Sequence, residues 1–380
     1  MAATVTWEGL RDLASFRAEN GCAISFYLDL DPSGTPTPDV VQSRVNALLD
    51  EIVRSETANR GELTHEQKQG LRDDVDRLRE FFASDFSRDG AQGYAVFCAG
   101  LDNAWQPLPL SDPVPDRAKV GRAFYLAPLV PLIGKGDGVV VAVVGRERGD
   151  LYRLRGGRLE ELAREFDEQP GRHDQGGWSQ GRFQRHIEKL VQDHLKDVAG
   201  MLERSLRRLR KPRVVVVASE ETRADLEEEL STEVREAVIG WASAEAHATP
   251  AQLLETVKPL LESWRAEQEA NAVERWREAA GRSGRAASGW AQTLEAASDG
   301  RVDLLLFHDG ADHEAWQCPA CGRVAAEAGN CPLDGTQMEE SRDGLDLAVH
   351  QTLAHGGTVW ALRQRQDLDP VEGIGAVLRY

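Results

Sequence analysis

Apolar and polar positions change their repeat several times along this chain, and each change marks an element. Ala23 to Leu30 alternates with the period of two that predicts a strand, and Gly93 to Ala99 and Phe124 to Leu129 read as strands too. Between them, Val40 to Ser55 and Leu63 to Ala83 space their apolar residues at three and four, which predicts helices. The proline-rich run from Asp31 to Pro38 is a loop. Residues 1–130 therefore read as one α/β domain.

Proline and glycine punctuate residues 131–138 and set a boundary there. Two strands follow, at Val139 to Gly145 and Leu151 to Leu154, and then a polar loop from Glu168 to Gln180. From Arg182 the pattern turns helical, with Ile187, Leu190, Val191, His194, Val198, Met201, Leu202, Leu206 and Leu209 forming one stripe. Val214 to Ser219 reads as a buried strand, a helix starts near Glu221, and Pro250 to Arg282 makes one or two long charged helices. That gives a central domain over 131–282, ending in a glycine break that suits a hinge. The last domain, 283–380, carries a strand at Val302 to Phe307, a cysteine-containing insert, a helix at Leu345 to His355 and a strand at Thr358 to Arg363. The fold class is α/β, in three domains with a small knuckle-like insert in the last.

Composition narrows what such a chain does. With 380 residues it exceeds what a single core organises, in keeping with several domains. The longest apolar runs fall far below the ~20 residues of a spanning helix. The first residues lack the positive start and apolar stretch of a signal peptide, so a cytoplasmic location is expected. A net charge of −18 opposes phosphate over most of the surface, which excludes a general nucleic-acid or DNA binder. Any RNA contact must be local. One basic cluster qualifies, Arg204, Arg207, Arg208, Arg210, Lys211 and Arg213, although a solvated helix end favoured by the macrodipole is the simpler account of it.

Five cysteines suggest no disulfide framework; Cys22 and Cys98 sit alone in strand-like surroundings, and the others cluster. Cys318-Pro-Ala-Cys321-Gly and Cys331-Pro-Leu-Asp334-Gly are two knuckle turns, the second with aspartate in place of its final cysteine. Zinc accepts carboxylate oxygen at a bond length close to that for nitrogen, so Cys318, Cys321, Cys331 and Asp334 make a candidate tetrahedral structural site, with His308 or His313 as alternative fourth ligands. A decayed knuckle without metal is the other reading.

The most informative stretch is Gly176-Gly177-Trp178-Ser179-Gln180-Gly181-Arg182-Phe183-Gln184-Arg185, a glycine pair and a glutamine set immediately before a long helix. Glycines permit positive φ and a narrow loop profile. His173 and Asp174, nearby, have no serine or cysteine nucleophile at a recognisable spacing and read as solvated loop residues. The run resembles the glycine-glycine-glutamine loop of the archaeal and eukaryotic class-one release factors, matching that pattern at Gly176, Gly177, Ser179, Arg182, Phe183 and Arg185. Trp178 stands where the family has its glutamine, and Gln180 lies two positions later. The passage from Gly284 to Leu306 and the ending Gly373-Ile-Gly-Ala-Val-Leu-Arg-Tyr380 resemble the same superfamily's last domain, which includes Pelota. The stop-codon-reading motifs of the release factors, Asn-Ile-Lys-Ser and Tyr-x-Cys-x-x-x-Phe, do not occur here.

What remains resembles the bacterial branch of that superfamily, with its Vms-type peptidyl-tRNA hydrolases and the hibernation factor Balon. The resemblance implies codon-independent hydrolysis of peptidyl-tRNA on the ribosome. Gln180 in a Gly-x-x-Gln spacing would position water, Gly176 and Gly177 would shape the loop, and Trp178, Arg182 and Arg185 would contact RNA. It leaves open non-enzymatic occupancy of the ribosomal A site and cleavage of the tRNA 3′ end. The partners implied are the ribosome and peptidyl-tRNA, with a translational GTPase as a further one, and no membrane.

Overall fold

The computed structural model describes residues 5, 7–31, 34, 37–58, 63–88, 90–110, 112–133, 139–155, 158–166, 180–209, 212–244, 248–282, 284–363 and 365–380. They form two compact units, one from residues 1–134 with 266–380, the other from 135–265.

The first unit opens with α1 (Trp7–Ser15), β1 (Ala23–Asp29), α2 (Pro38–Ala58), α3 (His65–Glu80), β2 (Gly93–Ala99), β3 (Ala104–Leu110) and β4 (Arg117–Gly121). Thr64 starts α3 with a reciprocal cap: its hydroxyl accepts the Gln67 N–H at 3.2 Å, and the Gln67 side chain accepts the Thr64 N–H at 3.0 Å. The sheet is antiparallel in the order β3-β2-β1-β4, so β1 lies inside it. Alternation along β1 sends Ile24, Phe26 and Leu28 into a core with α2 and α3, while Ala23 and Tyr27 enter a second core on the opposite face.

The second unit contains β5 (Val140–Val144), β6 (Arg148–Arg155), β7 (Arg158–Phe166), α4 (Gln180–Arg208), β8 (Val214–Val217), α5 (Glu220–Glu229), α6 (Thr232–Ala237) and β9 (Val238–Ala242). Its sheet runs β7-β6-β5-β8-β9, with β5, β8 and β9 parallel and β6 and β7 folded back antiparallel. One face is covered by α4 with α5 and α6, the other by the first turns of α7 (Pro250–Arg282) through Leu253, Val257 and Leu261. The 250–282 run is thus one continuous helix, and Pro259 lies inside it.

The first unit resumes with the later part of α7, then β10 (Ala286–Ser288), α8 (Gly289–Ser298), β11 (Val302–His308), β12 (Ala315–Gln317), β13 (Val324–Ala325), β14 (Glu339–Ser341), α9 (Gly344–Ala354), β15 (Thr358–Leu362) and β16 (Ile374–Leu378). The sheet order is β10-β16-β11-β15, with β11 and β15 parallel across the α9 crossover and the three short strands β12 to β14 forming the insert. Val273 and Trp276 of α7 cover one face, and α8 and α9 cover the other.

Phe124–Leu129, expected to be a strand, is not one. It enters a 3₁₀ turn at Ala127–Leu132, with Pro128 near its start. The reason is an acceptor from elsewhere in the chain: the Asp346 carboxylate on α9 takes the N–H groups of Leu126 at 2.6 Å and Ala127 at 3.0 Å, and the Tyr125 N–H donates to Ser25 Oγ at 2.8 Å. Those amides are committed to side chains and have none left for a ladder. His350 donates through Nε2 to the Phe124 carbonyl and lies 3.6 Å from Asp346, while Phe16 stacks on Phe124 at 4.5 Å. Around this joint a single apolar core runs from Tyr27 and Phe97 to Leu294, Phe307 and Ala348, joining the first and last segments of the chain.

Burial pushes the Asp346 carboxyl above its ordinary range, against the opposing pull of His350 and the two amides. A raised folded-state pKa means that this group's contribution to stability is full at acid pH and is lost as pH rises through that pKa. Asp346→Ala leaves two buried N–H groups without an acceptor and should lower stability by about 2–4 kcal/mol. Asp346→Asn, which keeps the Oδ1 acceptor, should cost far less and should lose less stability than the wild type between acid and neutral pH. Urea unfolding followed by tryptophan fluorescence at several pH values checks both; equal losses in the two variants would contradict the joint.

Candidate functional site

Gly176, Gly177 and Trp178 lie outside the described residues, as do His173, Asp174 and Lys211. The structure does describe the element that follows them. Gln180 is the first residue of α4, which runs 29 residues to Arg208, so the loop leads straight into a helix N-terminus. The helix begins two residues before the position at which its apolar stripe becomes readable. Arg182 and Arg185 fall within its first two turns.

The seat of α4 is well defined. Val191, Leu195, Val198, Leu202 and Leu206 are buried in a core with Val140, Ala142, Leu151, Val214 and Val216 of the sheet beneath. At Gly149 of β6 the helix packs tightly, and a Cβ there would lie 2.5 Å from Val198 Cγ2. Only a residue without a side chain fits there. The sequence signal for Gly149, a lone glycine in a strand-like run, is weak.

Arg204, Arg207 and Arg208 are exposed on the last turns of α4, and Arg207 pairs with Glu203 at 3.0 Å. They are 24 or more residues beyond Gln180, about 36 Å along the axis at 1.5 Å per residue. The structure therefore separates the two sets of basic residues. Arg182 and Arg185 belong to the loop end of the helix, and Arg204, Arg207 and Arg208 to the end nearest β8.

A second cluster lies in the insert. Cys318 and Cys331 begin turns of matching pattern: the Cys318 carbonyl accepts the Gly322 N–H at 2.9 Å, and the Cys331 carbonyl accepts the Gly335 N–H at 2.8 Å. Each cysteine's own N–H donates to a carbonyl just beyond its turn, Arg323 in one case and Thr336 in the other, both at 2.8 Å. Gly322 and Gly335 take φ of 78° and 75°, the left-handed region that favours glycine. The turns bring Cys318 Sγ to 3.4 Å from an Asp334 oxygen and Cys321 Sγ to 3.5 Å from Cys331 Sγ, with all four donor atoms within 4.8 Å of one another. A tetrahedron with bonds of ~2.3 Å to sulfur and ~2.0–2.2 Å to oxygen has edges of about 3.5–3.8 Å, so the set is compatible with a metal site.

Thr336, a residue with no sequence signal of its own, donates its N–H to Asp334 Oδ1 at 2.9 Å, and its backbone and side-chain hydrogen bonds hold that carboxyl down at about 2. The alternative fourth ligands are occupied elsewhere. His308 faces Asp369 at 3.2 Å through Nδ1 and receives the Leu368 N–H at Nε2, and His313 stacks on Trp290 with ring centres 5.3 Å apart. Cys22 and Cys98 are buried far from this insert in the first core, and burial pushes both thiols up.

Residues 125–262 match the family described as bacterial archaeo-eukaryotic release factor family 10. The chain is 27% identical over 233 residues to peptide chain release factor subunit 1 of Archaeoglobus fulgidus, covering 57% of this chain and 57% of the relative. It is 26% identical over 195 residues to the same factor of Aeropyrum pernix, covering 50% and 49%. The chain thus spans about half the length of the curated relatives it matches. Solved structures similar to it include the archaeal translation termination factor aRF1, at 18% identity over 100% of this chain and 99% of that one with a TM-score of 0.27. Another is ribosome-bound archaeal Pelota, at 15% identity over 76% and 77% with a TM-score of 0.44. Residues 125–262 are thus similar to bacterial archaeo-eukaryotic release factors, and about half of the chain is similar to archaeal peptide chain release factor subunit 1.

The tight seat of α4 makes a direct prediction. Gly149→Val should overpack the β6–α4 contact and destabilise the central unit by about 1–3 kcal/mol. In a Gly149→Ala background, Val198→Ala should restore part of the loss, a coupling that thermal unfolding of the two single variants and the double variant measures. Strict additivity would contradict the contact.

Proposed function

We propose that the chain acts on the ribosome as a codon-independent factor that presents the Gly176–Gln180 loop to peptidyl-tRNA and hydrolyses its ester. The observation that carries this reading is the position of Gln180 at the start of α4. Ester cleavage needs an oriented water and donors at the developing oxyanion, and no metal or strong nucleophile. The first N–H groups of a helix have no intrahelical acceptor and sit at the positive end of its dipole. A glutamine there combines an amide side chain for the water with backbone donors for the oxyanion or a nearby phosphate. Gly176 and Gly177 supply the narrow approach, and Trp178 stacks on an RNA base.

Arg182 and Arg185 contact phosphate near the ester. Arg204, Arg207 and Arg208, at the far end of α4, serve a separate RNA contact, together with Lys211. The ribosome and peptidyl-tRNA are the partners on this reading, in the cytoplasm, with a translational GTPase delivering the factor. The division into segments 1–130, 131–282 and 283–380 assigns these contacts to the central one. Trp178 in the family's glutamine position favours a second reading, occupancy of the A site without catalysis. Cleavage of the tRNA 3′ end is a third.

The insert holds one zinc ion on this proposal, through Cys318, Cys321, Cys331 and Asp334. Bound there, zinc would cross-link the two turns and stabilise a piece of chain whose own core is small, Cys318, Cys331 and Met338 with Trp316 and Ala325 against them. A set of four protein donors leaves no open position, so its role is structural.

Stalled ribosome–nascent-chain complexes incubated with wild-type protein should release free peptide, and Gln180→Ala should release it at least about a hundredfold more slowly, the scale of losing one positioned donor. If both proteins bind and neither frees peptide, A-site occupancy replaces hydrolysis; a shortened tRNA 3′ end on gels would instead identify strand cleavage. Elemental analysis of the reduced protein should find one zinc per chain, lost in Cys318→Ser and kept in Asp334→Cys. A metal-free wild type would refute the zinc assignment.

A further inference from the structure

Sheet edges invite pairing with foreign strands, and proteins blunt them with charge, proline, short length or cover. Most edges in this chain follow that rule. At the edges of the first sheet, β3 carries Pro107 and Pro109, and β4 carries Arg117 and Lys119. At one edge of the central sheet, β7 carries Arg158, Glu160, Glu161, Arg164 and Glu165. In the last sheet β10 is only 3 residues long, and β15 lies against the 3₁₀ turn at Ala127–Leu132.

β9 is the exception. Its sequence Val238-Ile239-Gly240-Trp241-Ala242 has no charge and no proline, every residue in it is partly exposed, and among the described residues no strand pairs with its outer side. An undefended apolar edge is an aggregation hazard unless something covers it.

The surface beside it indicates what does. A groove of about 590 Å³ between α5 and β9 is lined by Ala224, Leu230, Val238 and Trp241 together with Glu227, Glu228 and Arg235. The neighbouring helix α5 presents Glu220, Glu221, Asp225, Glu227, Glu228 and Glu229 against the single Arg223. The two arginines near the groove are already engaged. Arg223 binds Glu227 at 2.9 Å with its guanidinium 4.9 Å from the Trp241 ring, and Arg235 donates to the Glu227 carbonyl at the end of α5 at 2.8 Å. What the groove offers a newcomer is apolar side chains, glutamates and a strand edge.

We infer that β9 is a docking edge for an extended, basic segment of a protein partner, which adds as a further strand to the central sheet. Backbone pairing supplies affinity, alternate apolar side chains of the partner enter the groove over Trp241, and its lysines or arginines face Glu228 and Asp225. This site is independent of the Gln180 loop and stands whether or not that loop hydrolyses anything.

A blocked heptapeptide of alternating lysine and valine, and an analogue of equal charge with proline replacing the central valine, separate strand addition from simple attraction. The alternating peptide should bind saturably and slow hydrogen exchange across residues 238–242, and the proline analogue should do neither. Glu228→Lys, on an exposed position that leaves the fold intact, should weaken binding by about tenfold. Trp241→Ala should weaken it further. Equal binding of the two peptides, or binding without protection of 238–242, overturns the inference. So does concentration-dependent protection of that strand in the peptide-free protein, which would assign the edge to a second copy of the chain.

Discussion

The contact on which the functional reading rests is the seat of α4 on the central sheet. At Gly149 the helix and β6 approach so closely that a single methyl group would collide with Val198. A helix held that firmly through its middle is a stiff rod, and its first residue, Gln180, inherits the position of the rod's end. The same stiffness keeps Arg204, Arg207 and Arg208 about seven turns away, so the helix carries two separate basic sets instead of one patch.

The other unit solves a different problem, joining the two ends of the chain into one body. Its device is a buried carboxylate. Asp346 gathers two amides that would otherwise extend a strand, turns them into the start of a 3₁₀ turn, and thereby lays Leu129 and Val130 into the common core. Lys119 reaches across the same joint to Asp343 at 2.8 Å, with Arg117 behind it at 3.8 Å. The insert that precedes α9 has little core of its own, and its two matching knuckle turns supply instead four donor atoms within 4.8 Å of one another.

Much of this was legible in the sequence where local pattern decides structure. β2, β8 and β11 were readable because short apolar runs bounded by turn residues bury on both faces, and α2, α3, α4 and α9 because their stripes repeat at helical spacing. The knuckle donors could be named because Cys-Pro-x-Cys-Gly fixes its own geometry. Other elements escaped for identifiable reasons. In β7, Leu159, Leu162, Ala163 and Phe166 mimic a helical stripe, since Leu162 is an extra residue between the partners of Leu151 and Tyr152 and breaks the period of two. Phe124–Leu129 looked like a strand because nothing local reveals a carboxylate more than two hundred residues away. Gly149 and Thr336 act through contacts that no single-residue pattern records.

The central claim is that the loop ending at Gln180 meets the ester of peptidyl-tRNA, and its location can be measured without reference to turnover. With a photoreactive phenylalanine analogue at position 180, irradiation of the protein bound to ribosomes carrying peptidyl-tRNA should cross-link it to the tRNA 3′ end or to the ribosomal RNA of the peptidyl-transferase centre. Cross-links confined to the decoding region, the GTPase-binding face or ribosomal proteins of the outer surface would contradict the account.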